Sequence, residues 1–186
     1  PDVFKANISG NIEGDFFGNT EVNSGTSGTG SIGLFRLRHA TIKMDWTKTS
    51  LTLGQTWYPT FVPEVFPGVA NFNTGIMFNP FGWASQIRLR QKLSEKISLD
   101  IVAYKDREFT APSVAGNAPN SATFNSSIPT FHGQLQFKNQ QVIAGLGAEY
   151  QSLKPVTESG GKVSDEKLNS TTVFGYFKYT NSKVVA

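Results

Sequence analysis

The stretch FGWASQIRLRQKL, residues 81–93, alternates between apolar and polar side chains with a period of two. The apolar parity carries Trp83, Ile87, Leu89 and Leu93. The polar parity carries Gln86, Arg88, Arg90 and Lys92. This period is that of a β-strand, because successive side chains of a strand point to opposite faces. The stretch therefore predicts a strand that presents a row of cations on its polar face.

The same alternation recurs along most of the chain, and signals for helices are weak throughout. Strands are predicted over residues 3–17, 32–46, 51–58, 81–93, 97–106, 129–138, 142–151 and 170–180. Several of these segments have about ten residues, which is the length that crosses a bilayer when the strand is tilted. The chain is therefore expected to be an all-β protein.

Long and short connections alternate between the predicted strands. The long ones are residues 19–30, 59–82, 107–128 and 152–169. The short ones are residues 47–50, 94–96, 139–141 and 181–183. Outer-membrane barrels have this organisation, with long loops outside and tight turns on the periplasmic side, whereas a soluble sandwich has no physical reason to keep its long loops at one end. We predict an antiparallel transmembrane β-barrel with eight strands in this chain, forming a single domain over residues 1–186.

Composition removes other classes of protein. No apolar run reaches the length of a transmembrane helix, and the mean hydropathy is −0.25. Cysteine is absent and His39 and His132 are the only histidines, so we expect no metal site and no cofactor. Both histidines are interpreted as polar strand residues. The sequence has no pattern that places a catalytic nucleophile beside a general base, so the chain is not expected to be an enzyme. A net charge of +3 without a recognition motif gives no reason to expect nucleic-acid binding.

Energetics determine the orientation of the cationic strand. An arginine that faces lipid at the middle of the bilayer costs about 2–4 kcal/mol, so Arg88 and Arg90 are predicted to face the lumen. The short turn at 94–96 sets Arg90 opposite Asp100, where the two side chains are expected to pair. The same register sets Arg88 opposite Val102 and leaves it unpaired within its hairpin.

The strand predicted over residues 32–46 changes its apolar parity near His39. Before this point the apolar residues are Phe35 and Leu37, and after it they are Ala40, Ile42, Met44 and Trp46. A β-bulge near His39 would reconcile the two parities and aim Arg36 and Arg38 into the lumen. Without a bulge, both arginines would face outward near the outer rim, where lipid phosphates are available.

The connection at 59–82 is unusually apolar for a loop. It contains four prolines and the aromatic residues Phe61, Phe66, Phe72, Phe78 and Phe81, together with the acidic residue Glu64. A loop of this composition should pack against protein rather than extend into water. We interpret it as a constriction loop folded into the barrel. The alternatives are a latch over a neighbouring subunit and a cap on the rim.

Four stretches resemble outer-membrane porins of the DcaP-like group, in the forms found in Bacteroidota. They are IEGDFFG (12–18), FRLRHATIKMDW (35–46), LGQTWYPTFVPEVFPGVANFNTG (53–75) and FNPFGWASQIRL (78–89). The resemblance covers residues 8–90 well and the remainder only by pattern. It implies a homotrimeric porin of the bacterial outer membrane, in contact with lipid and lipopolysaccharide, with about sixteen strands and a leaning toward small anionic solutes.

The length of the chain departs from this pattern, because 186 residues cannot supply sixteen spanning strands with these loops. The final VVA also reads as the start of a ninth strand, and the chain lacks the aromatic C-terminal residue usual in the resembled class. We therefore expect an incomplete barrel. An unfinished strand leaves an open edge, which a bilayer does not tolerate.

The function expected from these features is passive diffusion of small anionic solutes through a water-filled porin. Rows of arginine and lysine favour anions in a narrow pore. The residues expected to line the pore are Arg88, Arg90, Arg36, Arg38, Lys92 and Asp100. Two alternatives remain open: a complete eight-stranded barrel with a structural or adhesive role, and a soluble β-sandwich that binds carbohydrate through its aromatic residues.

Overall fold

A computed structural model describes four parts of the chain: residues 5–18, 34–66, 81–106 and 121–181. The long strands are β1 Asn7–Gly18, β2 Leu34–Asp45, β3 Thr49–Trp57, β4 Trp83–Lys92, β5 Ile97–Asp106, β6 Thr130–Lys138, β7 Val142–Leu153 and β10 Leu168–Tyr179. Each corresponds to a predicted strand, with ends displaced by a few residues. The prediction of an all-β antiparallel fold is confirmed.

The eight long strands form a single antiparallel sheet in the order β1-β2-β3-β4-β5-β6-β7-β10. Consecutive strands are neighbours, which is the expected result of connecting antiparallel strands by hairpins. One continuous sheet differs from the soluble sandwich considered above, which needs two sheets packed face to face. Within the described residues, β1 is paired with β2 and β10 with β7, and no pairing joins β1 to β10.

The alternation of connection lengths is confirmed wherever both flanking strands are described. Residues 46–48, 93–96 and 139–141 form the short turns, while residues 19–33, 58–82, 107–129 and 154–167 form the long connections. Because the strands run antiparallel, the short turns lie at one end of the sheet and the long connections at the other. We call these ends the short-turn end and the long-loop end.

Small elements occur inside the long connections and were not predicted. They are the 3-10 turn Pro63–Val65, the helix α1 Ser121–Asn125, and the strands β8 Glu158–Ser159 and β9 Lys162–Val163. Gly160 and Gly161 join β8 to β9 with φ angles of 59° and 74°. Adjacent glycines with positive φ are typical of a tight hairpin turn, so the pair Gly160-Gly161 was the available sequence signal. Neither described helical segment has the length and apolar character needed to cross a bilayer.

The two faces of the sheet have opposite character. On one face, which we call the apolar face, large side chains are exposed: Ile42, Ile87, Leu89, Ile101, Leu135, Leu146 and Val173. On the other, the polar face, Gln86, Asp100, His132, Gln134 and Gln136 are each buried. A water-soluble sheet has the reverse arrangement, because it buries its apolar face in a core. The predicted orientation of β4 follows this division, with Ile87 exposed and Arg88 half-buried on the polar face.

Candidate functional site

A register shift interrupts the pairing of β1 with β2 beside His39. Glu13 is opposite His39 and Gly14 is opposite Leu37, so Arg38 is an extra residue between two paired positions. This is the arrangement of a β-bulge, in which two residues of one strand face one residue of the other. The bulge therefore lies where the change of apolar parity predicts it.

The bulge places both arginines of β2 on the same side as the carboxylates of β1. Arg36 makes a two-pronged contact with Asp15, with distances of 3.1 Å from Nε to Oδ1 and 2.8 Å from NH2 to Oδ2. Arg38 NH1 lies 3.1 Å from Glu13 Oε1. Phe35 and Leu37 point the other way and are exposed. The cations of β2 are thus compensated locally by acidic residues of the neighbouring strand.

The guanidinium groups of these arginines also lie over two tryptophans. Trp57 and Trp83 are register partners at the long-loop ends of β3 and β4, with stacked rings 4.7 Å apart. Arg36 Cζ is 4.8 Å from the centroid of Trp83, and Arg38 Cζ is 5.4 Å from that of Trp57. Tryptophans near strand ends are typical of an interfacial girdle or of packing within the protein, and Trp83, which is only 4% exposed, packs within the protein.

A second polar cluster occupies the middle of the polar face. It is a hydrogen-bonded chain of side chains from β4 to β7: Arg90, Asp100, Gln134, His132, Glu149 and Tyr104. Both nitrogens of the Arg90 fork lie 2.6 Å from carboxylate oxygens of Asp100, which is 3% exposed. The predicted cross-strand pair between Arg90 and Asp100 is confirmed. The charges of Arg90 and Asp100 compensate each other.

His132 belongs to this hydrogen-bonded cluster and is buried. Its Nδ1 lies 3.0 Å from Glu149 Oε1, and its Nε2 lies 3.3 Å from Gln134 Oε1. Its ring stacks on Phe174 at 5.3 Å. With both nitrogens occupied and the ring covered, His132 has the contacts of a structural polar residue. The described part of the chain contains no group of three or more acidic, histidine or cysteine side chains arranged to hold a metal ion.

Arg88 has a different environment from Arg90. It faces Val102 across the hairpin, as predicted. Its Nε donates to Gln86 Oε1 at 3.0 Å, and its NH2 donates to the carbonyl of Trp57 at 3.0 Å. Both acceptors are neutral, and among the described residues no carboxylate forms an ion pair with Arg88. The Arg88 charge is therefore held in position without being compensated by a direct partner.

The connection that follows β3 lies over the polar face. Phe61 and Val62 are each 8% exposed, and the ring of Phe61 packs against Trp57 at 4.9 Å and Phe81 at 5.3 Å. The expectation that this apolar segment packs against protein is met for residues 59–66 and 81–82, the described parts of it. Two aromatic residues of the predicted constriction loop, Phe72 and Phe78, lie outside the described residues. Phe66 lies within them and contacts Phe61 at 5.4 Å.

Glu64, in the 3-10 turn of this segment, reaches two distant strands. Its backbone carbonyl accepts a hydrogen bond from Lys178 Nζ of β10 at 2.8 Å. Its Oε1 lies 3.8 Å from Lys138 Nζ at the end of β6. Lys138 shares the parity of the buried polar residues of β6, and Lys178 shares that of the half-buried Phe174 and Tyr176 of β10, so Glu64 lies on the polar face. Among the described residues, the ion-pair partner of the Glu64 carboxylate is Lys138 and not Arg88.

A cavity of about 1320 Å³ opens at the short-turn end of the polar face. Its charged lining consists of Lys48, Arg90, Lys92, Lys96, Lys138, Glu64 and Glu95. Lys92, which is predicted to line a pore, lines this cavity. Arg36 and Arg38 do not line it and lie instead over Trp83 and Trp57. Lys138, Gln134 and Gln136 were not among the residues selected to line the pore, although their shared parity in β6 predicts that they lie on the same face.

No protein-family model matches the chain, and no curated protein sequence matches it. Among solved structures, the fold is similar to the crystal structure of the outer membrane channel DcaP of Acinetobacter baumannii, with a TM-score of 0.71 and 22% sequence identity. The match covers 97% of this chain and 45% of that chain, so this chain spans less than half the length of the channel. The similarity shows that the two proteins share an antiparallel β fold.

Proposed function

We propose that the chain forms part of the wall of a bacterial outer-membrane porin, a water-filled channel for the passive diffusion of small, preferentially anionic solutes. The observation that carries the proposal is the opposite character of the two faces, with exposed large apolar side chains on one and a charged, hydrogen-bonded surface on the other. A barrel wall between lipid and a wet lumen requires this arrangement, since lipid-facing and lumen-facing residues alternate along each strand.

The proposed preference for anions rests mainly on Arg88. Its charge has no direct carboxylate partner among the described residues, whereas Arg90, Arg36 and Arg38 each contact an acidic side chain. Cations that line a narrow passage favour anions by replacing part of the hydration that an ion loses on entry. We therefore rank Arg88 first, followed by Lys92, and expect smaller contributions from the paired arginines and from Asp100.

We propose that residues 59–82 narrow the passage. The support is the reach of Glu64 to Lys178 and Lys138, which brings the connection onto the polar face instead of leaving it at the rim. Charges on a loop and on the facing wall influence each other within about 8 Å at physiological salt, so a loop in this position increases the effect of the wall cations.

We propose that additional strands complete the wall, in a homotrimer of barrels with about sixteen strands each, in contact with lipid and lipopolysaccharide. The support is the unpaired outer side of β1 and of β10 within the described residues. An open sheet edge exposes backbone amides and carbonyls, and the hydrocarbon region offers them no hydrogen-bond partners.

The test is to reconstitute the intact protein from its source membrane into planar bilayers and to measure current in a salt gradient. We expect stepwise conductance and a reversal potential on the anion-selective side. Cation selectivity would overturn the anion preference. A folded, inserted protein without conductance would instead favour a non-conducting barrel with a structural or adhesive role. A protein that stays soluble without detergent would overturn the membrane assignment. The proposal assigns no enzymatic activity to the chain.

A further inference from the structure

We propose that the cavity at the short-turn end contains a binding subsite for small carboxylates centred on Lys138, and that Glu64 is a tethered carboxylate that occupies this subsite until a solute displaces it. The inference extends the proposed function, because it specifies where on the polar face an anion binds and which group competes with it.

The pair of Glu64 and Lys138 has the geometry of a replaceable contact. Its atoms lie 3.8 Å apart, and the two side chains are 38% and 53% exposed. An ion pair that is this long and this wet is held weakly, because water solvates both charges and salt screens them. A carboxylate from solution can therefore take the place of the Glu64 side chain.

The backbone of Glu64 is held by separate contacts. Lys178 Nζ donates to its carbonyl at 2.8 Å, and the neighbouring residues Phe61 and Val62 are buried. These contacts do not involve the Glu64 carboxylate. The side chain can consequently leave Lys138 while the segment stays on the polar face, which is the behaviour required of a built-in competitor.

The surrounding cations make the cavity favourable for an anion. Lys48, Lys92 and Lys96 line it, and the described residues give none of these three an ion-pair partner. Arg90 also lines the cavity, but it is committed to Asp100 by two contacts of 2.6 Å. The ammonium groups of lysine are point charges with several donors, which suits a small carboxylate without demanding a planar two-pronged geometry.

The experiment measures the binding of gluconate to the intact protein in detergent by saturation-transfer NMR, with sorbitol as the neutral control. Glu64→Gln removes the tethered charge and is expected to increase gluconate affinity about threefold to tenfold. Lys138→Gln is expected to reduce affinity by a similar factor, and Lys138→Arg to restore it. Lys154→Gln, whose partner Asp165 is 89% exposed, is the matched control away from the cavity and should leave affinity unchanged.

The double variant separates competition from a general change in electrostatic field. If Glu64 competes for Lys138, Glu64→Gln has no effect on gluconate affinity once Lys138 is glutamine. An equal gain in both backgrounds, or no gain in either, would overturn the inference. Because NMR binding does not require current, a protein that binds gluconate with this dependence but does not conduct would refute the porin proposal and leave the subsite standing.

Discussion

Lys178 of β10 donates a hydrogen bond to the backbone carbonyl of Glu64, 114 residues earlier in the chain, at a distance of 2.8 Å. Four strands lie between β3, which precedes Glu64, and β10 in the order of the sheet. The contact therefore joins the connection between β3 and β4 to a distant strand. It holds residues 59–66 at one position along β10 on the polar face.

Loss of this contact should widen the passage. Lys178→Met keeps the length of the side chain but removes its donor, so we expect a larger single-channel conductance in planar bilayers. Lys162→Met, in the exposed strand β9, is the matched control and should conduct like the unaltered protein. Unchanged conductance in Lys178→Met would mean that the contact does not position the connection.

Arg88 should control ion preference more strongly than the Arg90–Asp100 pair. Arg88→Gln removes a charge that has no direct ion-pair partner among the described residues, so the ratio of anion to cation permeability should fall severalfold in reversal-potential measurements, and Arg88→Lys should preserve the ratio. The double variant Arg90→Gln with Asp100→Asn leaves the net charge unaltered and should retain most of the preference. A preserved ratio in Arg88→Gln would remove this residue from the selectivity element.

Breaking one side of the buried pair should destabilise the protein. Arg90→Gln leaves the carboxylate of Asp100, which is 3% exposed, without its charged partner. We expect a loss of about 1–3 kcal/mol in the free energy of unfolding, measured by urea titration in lipid vesicles. Adding Asp100→Asn should recover most of the loss, because the buried charge is then absent. A double variant as unstable as the single one would contradict this explanation.

Gly54 should not tolerate a side chain. Its φ angle is 121°, and a Cβ built there would clash with the backbone carbonyl of Ala40 in the neighbouring strand. Gly54→Ala is therefore expected to lower the free energy of unfolding by about 1–3 kcal/mol, in the same titration. Gly133 is the control, because a Cβ at that position meets no atom within 4 Å. Equal stability of the two alanine variants would show that β3 relaxes without strain at Gly54.

Much of the local structure follows from patterns within a few residues. The alternation around Arg88 identifies the strand and its two faces, since the side-chain period of a strand is two. The turn at 94–96 fixes the register that pairs Arg90 with Asp100, because a one-residue slip would move every side chain to the wrong face. The parity change at His39 likewise locates the bulge.

The sequence by itself determined the strands, their order and which face carries the charges, because each depends on hydrophobic periodicity and turn length between neighbours in the chain. Only the tertiary structure decided that Glu64 meets Lys138 and Lys178, and that Trp83 packs within the protein beneath Arg36. These contacts join residues whose separation in the chain follows no period. They depend on the path of a long connection across the sheet, which no rule of local spacing specifies.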